Sequence, residues 1–180
     1  MTDQHWRQEM IGDVAQELAA GMGAVLTDRF TENTLEYPFY GTYYGQSALP
    51  LAPDTLVYLT SDLLDGAIVT SYDTGMPVKG SVYNMEKAAG KDPYEIYLSG
   101  ADALTVIENP AFEGERELVI FRDSFGSSIT PLMLSGYSKI TLVDLRYVSS
   151  SVLGYFVDFE DADVLFLYST LILNNSISFK

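Results

Sequence analysis

The chain has 180 residues, the length of one ordinary domain, and its 47% hydrophobic and 19% charged content is enough to bury a real core, which excludes a disordered or low-complexity chain. Twenty-five acids against ten bases leave a formal charge of −15, a field that repels phosphate backbones and anionic headgroups and so argues against nucleic-acid or membrane-surface partners. No cysteine is present, so disulfides, thiolate nucleophiles and cysteine metal sites are excluded, and any chemistry needing imidazole must use His5.

The opening Met1–Trp6 has neither the basic start nor the apolar stretch of a secretory signal, and the compartment stays open on this ground. Met10, Val14, Leu18 and Met22 then recur every four residues, with Ile11 and Ala15 beside them, which predicts an amphipathic helix packed on a sheet. Thr2 or Asp3 can cap its start, and Gly21 and Gly23 mark its end.

From 30 to 91 the texture changes to a loop-rich, β-type excursion within the same domain. Aromatics cluster at Tyr37, Phe39, Tyr40, Tyr43 and Tyr44, where they suit either stacking on sugar rings or covering the edge of a core. The runs Thr55–Thr60 and Ala67–Tyr72 flank Asp65-Gly66 and predict a hairpin. The last third alternates: strand Glu117–Arg122, helix Ser127–Tyr137, strand Lys139–Leu145, a helix or turn at Ser150–Phe156, and strand Asp163–Tyr168. That order predicts a three-layer α/β domain with a parallel sheet and right-handed crossovers, whose reactive groups sit at the carboxyl ends of the strands. The longest apolar run, Val164–Leu173, is broken by Tyr168, Ser169 and Thr170 and is too short to span a membrane.

Directly after the Glu117–Arg122 strand comes Asp123-Ser124-Phe125-Gly126. A serine at such a turn either caps the following helix or stands exposed as a nucleophile, with Gly126 allowing close backbone approach to an oxyanion. Asp3 and His5, two apart in an extended segment, face the same way, so the carboxylate can orient the imidazole; a lone terminal histidine is also compatible with simple surface exposure. Serine needs a base and the chain has one imidazole, which links the two elements. Asp158, Glu160, Asp161 and Asp163 suggest a calcium loop but lack its glycine and distal Glu, so a solvated acidic turn fits them better. No glycine-rich phosphate cradle occurs.

Thr2-Asp3-Gln4-His5-Trp6 resembles the Asp-His-His-Trp motif that names the bacterial DHHW family, with Gln4 in place of the first histidine. RDSFGSSITPLM (Arg122–Met133), LVDLRYVS (Leu142–Ser149) and DVLFLYSTLILNNS (Asp163–Ser176) look like that family's carboxyl half, and FYGTYY, DPYEIYLSG and LTVIEN like its shorter motifs. The resemblance implies an SGNH hydrolase-like fold related to the alginate O-acetylation proteins, permuted so that Asp-x-His precedes the serine. Carried over, it makes Ser124 the nucleophile, His5 the general base and Asp3 its orienter, with Arg146 near the site as a substrate-binding group or, alternatively, paired with Asp144 or Asp123. In place of the usual later Gly and Asn oxyanion donors the chain has Tyr168-Ser169-Thr170, so Gly126 and Ser169 are the oxyanion candidates. The implied function is a serine-dependent O-acetyltransferase or esterase working on an acetylated carbohydrate or acyl donor, without cofactor or metal, outside the cell or on its surface. The alternative is a non-catalytic carbohydrate-binding or surface domain with an incomplete oxyanion hole. The resemblance also implies a single domain over 1–180, an upstream segment beyond this chain, and a loose end at His5.

Overall fold

A computed structural model describes residues 2–47, 50–72 and 75–180. After a 3-10 turn at Gln8–Met10 come α1 (Gly12–Gly21), β1 (Thr31–Thr34), α2 (Thr42–Ser47), β2 (Val57–Thr60), α3 (Asp62–Asp65), β3 (Ile68–Ser71) and β4 (Val78–Gly80). Two further 3-10 turns lead to β5 (Leu104–Glu108), β6 (Glu117–Arg122), α4 (Phe125–Met133), β7 (Lys139–Val143), β8 (Ala162–Leu167) and α5 (Thr170–Asn174).

The main sheet has six strands in the order β4-β3-β5-β7-β6-β8. β6 runs parallel to both β7 and β8, whereas β5 is antiparallel to β7 and to β3, and β4 to β3. The sheet is therefore mixed. The parallel expectation holds for its three carboxyl-terminal strands, of which β6 and β7 are buried between neighbours and β8 forms the edge. Leu118 and Ile120 of β6 share one face with Ile140 and Leu142 of β7, packed under α1 and α4 through Ala15, Ala19, Ile129 and Leu132. Val119, Phe121 and Val143 face the other way onto Leu153 and Val157. This second cover is a 3-10 helix, Ser150–Tyr155, with the residues just after it. Full burial of each such side chain contributes about 1.5–3 kcal/mol.

Two local expectations change. In the first helix the buried stripe is Ile11, Ala15 and Ala19, while Met10 and Val14 are exposed, because small residues let α1 approach α4 closely. Neither Thr2 nor Asp3 caps it; the residue at the cap is Ile11, without a side-chain bond. The hairpin around Asp65-Gly66 does not form: Ser61 Oγ accepts the Leu64 amide at 3.2 Å and winds Asp62–Asp65 into a helical turn. β2 then pairs with β1 in a separate two-stranded sheet, and β3 crosses to the main one. Of the aromatic run, Phe39 sinks into a small core with Leu35, Leu56, Tyr94 and Tyr97, while Tyr37, Tyr40 and Tyr43 remain exposed. No helix among the described residues is long and apolar enough to cross a membrane.

Candidate active site

β6 ends at Arg122 and α4 begins at Phe125, so Asp123 and Ser124 form the whole turn between them. Ser124 occupies the cap position, yet its side chain makes no capping bond. Asp123 does the capping instead: one carboxylate oxygen accepts the Phe125 amide at 3.0 Å and the other the Ser169 amide at 2.8 Å. The Ser124 hydroxyl is thereby left for another partner, and that partner is His5, whose Nε2 lies 2.8 Å from Ser124 Oγ.

Asp3 Oδ1 lies 2.6 Å from His5 Nδ1. An ionised carboxylate only accepts, so Nδ1 carries the proton in that contact, and in the neutral ring Nε2 is then the acceptor for the serine O–H. The same Asp3 oxygen accepts the His5 amide at 2.7 Å, and Oδ2 accepts the Thr42 amide at 2.7 Å. Burial alone would raise the Asp3 pKa, but these bonds from the His5 ring and the Thr42 and His5 amides hold it below the ordinary carboxylate value. Both side chains are nearly enclosed, at 5% exposure for His5 and 6% for Asp3.

The segment carrying them is fastened, contrary to the loose end expected. Asp54 accepts both the amide and the hydroxyl of Thr2, and the Thr2 carbonyl accepts the Tyr43 amide at 2.9 Å. Gly41 must be glycine here, since a Cβ at that position would stand 2.2 Å from the Asp3 Cβ. Gln8, fully buried, donates to the Ser128 carbonyl on α4 at 2.8 Å and accepts the Leu59 amide of β2 at 2.8 Å. Neither Gln8 nor Gly41 stands out in the sequence; a polar residue two places before an apolar stripe and a glycine among tyrosines are the only hints.

The other candidates fall elsewhere. The Gly126 amide already donates to the Asp123 carbonyl at 3.1 Å, and the residue is small because a Cβ would meet Arg122 Cβ at 2.7 Å. Ser169 spends its amide on Asp123, and its hydroxyl accepts the Ile172 amide at 3.4 Å as the cap of α5. No protein acceptor among the described residues engages the Ser124 amide. Arg146 makes a two-pronged pair with Asp144, Nε to Oδ1 at 2.9 Å and Nη2 to Oδ2 at 2.6 Å. Asp144 is fully buried, so this arginine neutralises a carboxylate that would otherwise be stranded. The pair with Asp144 is one of the two alternatives its motif left open.

A different arginine underlies the turn. Arg122 is fully buried, with Nη1 donating to Ser127 Oγ at 3.1 Å and Nη2 to the Gly100 carbonyl at 3.2 Å. Burial pushes its pKa down, against the pull of Asp144 and Asp102. The loop it grips holds three successive residues at positive φ: Leu98 at 53°, Ser99 at 63° and Gly100 at 98°. Strain of this kind persists only where surrounding bonds over-determine the backbone.

A cavity of about 750 Å³ runs along the amino-terminal segment from Asp3 to Ile11, walled by Phe39, residues 53–57, Tyr94 and Tyr97. Asp3 and His5 line it, and Ser124 does not. Among the described residues no group of three or more His, Asp or Glu is disposed to hold a metal. In the acidic turn, Asp158 accepts the Glu160 amide at 2.9 Å and Asp163 pairs with Arg116 at 2.8 Å.

No family model and no curated protein matches the sequence. Solved structures do match the fold. A DHHW family protein from Eubacterium siraeum superposes with a TM-score of 0.75 at 24% identity, over 95% of this chain and 58% of that one. Bacillus cereus PatB1 bearing a sulfonyl adduct gives 0.73 at 22% identity, over 95% and 60%. PatB1 without the adduct gives 0.73 at 20%, over 96% and 62%. The chain thus spans about three fifths of the length of these structures, and it has the fold of the DHHW protein and PatB1.

Proposed function

We propose that this domain is a serine-dependent acyl transferase or esterase acting on acetylated carbohydrate at or outside the cell surface. Ser124 attacks the acyl carbonyl and passes its proton to His5 Nε2, while Asp3 holds the Nδ1 proton and balances the imidazolium. The Ser124 amide, which no protein acceptor among the described residues engages, serves as an oxyanion donor. Collapse of the tetrahedral species breaks the ester bond, and the leaving oxygen takes the proton from His5. Water or a sugar hydroxyl then attacks the acyl-serine by the same route.

The observation that carries this reading is the unbroken line Asp3–His5–Ser124, at 2.6 and 2.8 Å, with the serine released from capping by Asp123. The sulfonyl adduct on PatB1 supports it, because sulfonyl adducts form on activated nucleophiles. A second reading, a carbohydrate-binding domain without catalysis, draws on the commitment of the Gly126 and Ser169 amides and on the aromatic cavity.

Turnover of p-nitrophenyl acetate and labelling by a sulfonyl fluoride separate the two. Wild type should take up one sulfonyl group and hydrolyse the ester; Ser124→Ala should do neither while keeping its circular dichroism. His5→Ala should lose nearly as much turnover, since nucleophile and base act as a unit. Equal rates for wild type and a folded Ser124→Ala would reject the catalytic reading.

A further inference from the structure

Two hydrogen bonds hold the two nitrogens of the His5 ring, and both are lost if the ring turns about its Cβ–Cγ bond. A second ring lying flat against it resists that turn. Tyr94 stacks on the imidazole with centroids 4.1 Å apart and planes 15° from parallel. Phe125, the residue after Ser124, meets the same imidazole at 5.2 Å and 49°, and Trp6 sets its edge against Phe125.

We propose that Tyr94 is the positioning residue of this site: it fixes the plane of His5 and presents its π face to the imidazolium formed during acyl transfer. The role rests on the reading of Ser124 as nucleophile.

Tyr94 is well built for the task because it is itself immobile. It is 4% exposed, and its hydroxyl donates to Ser128 Oγ at 2.7 Å. Ser128 lies on α4, one turn after Ser124, so a single side chain ties the base to the helix that carries the nucleophile. Its backbone is held too: Asp92 Oδ1 accepts the Tyr94 amide at 3.0 Å, and Pro93 opens the 3-10 turn with its φ already set. A cation over the face of an aromatic ring is stabilised most where water is excluded, and this contact is enclosed. The charged groups around the imidazole are Asp3, bonded to it, and Asp92, acting through space. The stacked ring and the Asp3 carboxylate thus both lie against the imidazole that takes the serine proton.

The single histidine makes this directly measurable, since the chain yields one set of imidazole signals by NMR. In wild type the His5 ring protons should be displaced upfield by the Tyr94 ring current and show cross-relaxation with the Tyr94 ring. Tyr94→Phe, which keeps the face and loses the Ser128 bond, should retain the displacement; Tyr94→Leu should lose it. On p-nitrophenyl acetate, Tyr94→Leu should lower kcat by about 10–100-fold with KM changed by less than about 3-fold, and Tyr94→Phe should stay within about 5-fold of wild type. Absence of the wild-type cross-relaxation overturns the proposal whether or not the leucine variant folds. So does a folded Tyr94→Leu that keeps the displaced signals or turns over like Tyr94→Phe. A wild type that shows the ring signature but does not react with the ester counts against the acyl-transfer reading, and with it the catalytic role, while the stacking geometry stands on the NMR result alone.

Discussion

The segments 2–11 and 150–180 behave in opposite ways. The first is rich in polar residues, yet Thr2, Asp3 and Gln8 are nearly inaccessible, each with its bonds made. The second is rich in apolar residues and is largely exposed, with Tyr155, Phe166, Leu171 and Ile177 facing outward and only Leu153 and Val157 sunk. β8 explains part of this, because it is the edge strand, bonded to β6 on one side alone, and its outer face has only a partial cover. Hydropathy therefore misreads both segments. A polar side chain goes inside when its partners are preformed, and an apolar one stays outside when the layer above it ends.

The sharpest way to break this contrast is at Gln8. Gln8→Leu leaves the Ser128 carbonyl and the Leu59 amide without their partner, at a cost of about 2–4 kcal/mol, read as a lower urea midpoint with an unchanged slope. A fall in ester turnover at temperatures where the variant is still folded would show that the clamp also seats His5. Next comes Gly41→Ala. The added carbon must displace Asp3, which costs about 1–3 kcal/mol and pulls the carboxylate from the Thr42 amide, so activity should fall further than stability does. Asp3→Asn gives the clean comparison: the shape is kept, the charge is lost, and turnover should drop more than 100-fold, about the scale seen when an orienting carboxylate is neutralised, with the fold intact by circular dichroism.

Acid tests the same carboxylate through linkage. The folded pKa of Asp3 lies below the unfolded value of 3.8, so its contribution is complete above that pH and is lost as pH falls through the folded value. In Asp3→Asn that part of the acid-side decline should vanish, which a urea series from pH 5 downward would show. At the other end of the chain, Ile177→Ser should change stability by less than about 0.5 kcal/mol, because an exposed side chain has little burial to lose. A larger loss there would mean that the carboxyl-terminal face is covered in solution.

What the sequence determined by itself is whatever has a short period. The apolar runs of Glu117–Arg122, Lys139–Leu145 and Asp163–Tyr168 identify the three parallel strands, which form at Glu117–Arg122, Lys139–Val143 and Ala162–Leu167, and the strand-to-helix turn puts Ser124 at their carboxyl end. Asp3 and His5 share a side of their segment for the same local reason. Everything that depended on a distant partner was decided by tertiary structure. Whether Ser124 caps or is free turned on Asp123 and Ser169, 46 residues apart. Which arginine sits under the site turned on Asp144 holding Arg146 and on the 98–100 loop receiving Arg122. Tyr94 reads in the sequence as one tyrosine among thirteen, and only folding lays it against His5. A periodicity is written in neighbouring residues, whereas the worth of a polar or aromatic side chain is set by what desolvates it and what it meets, and neither is local.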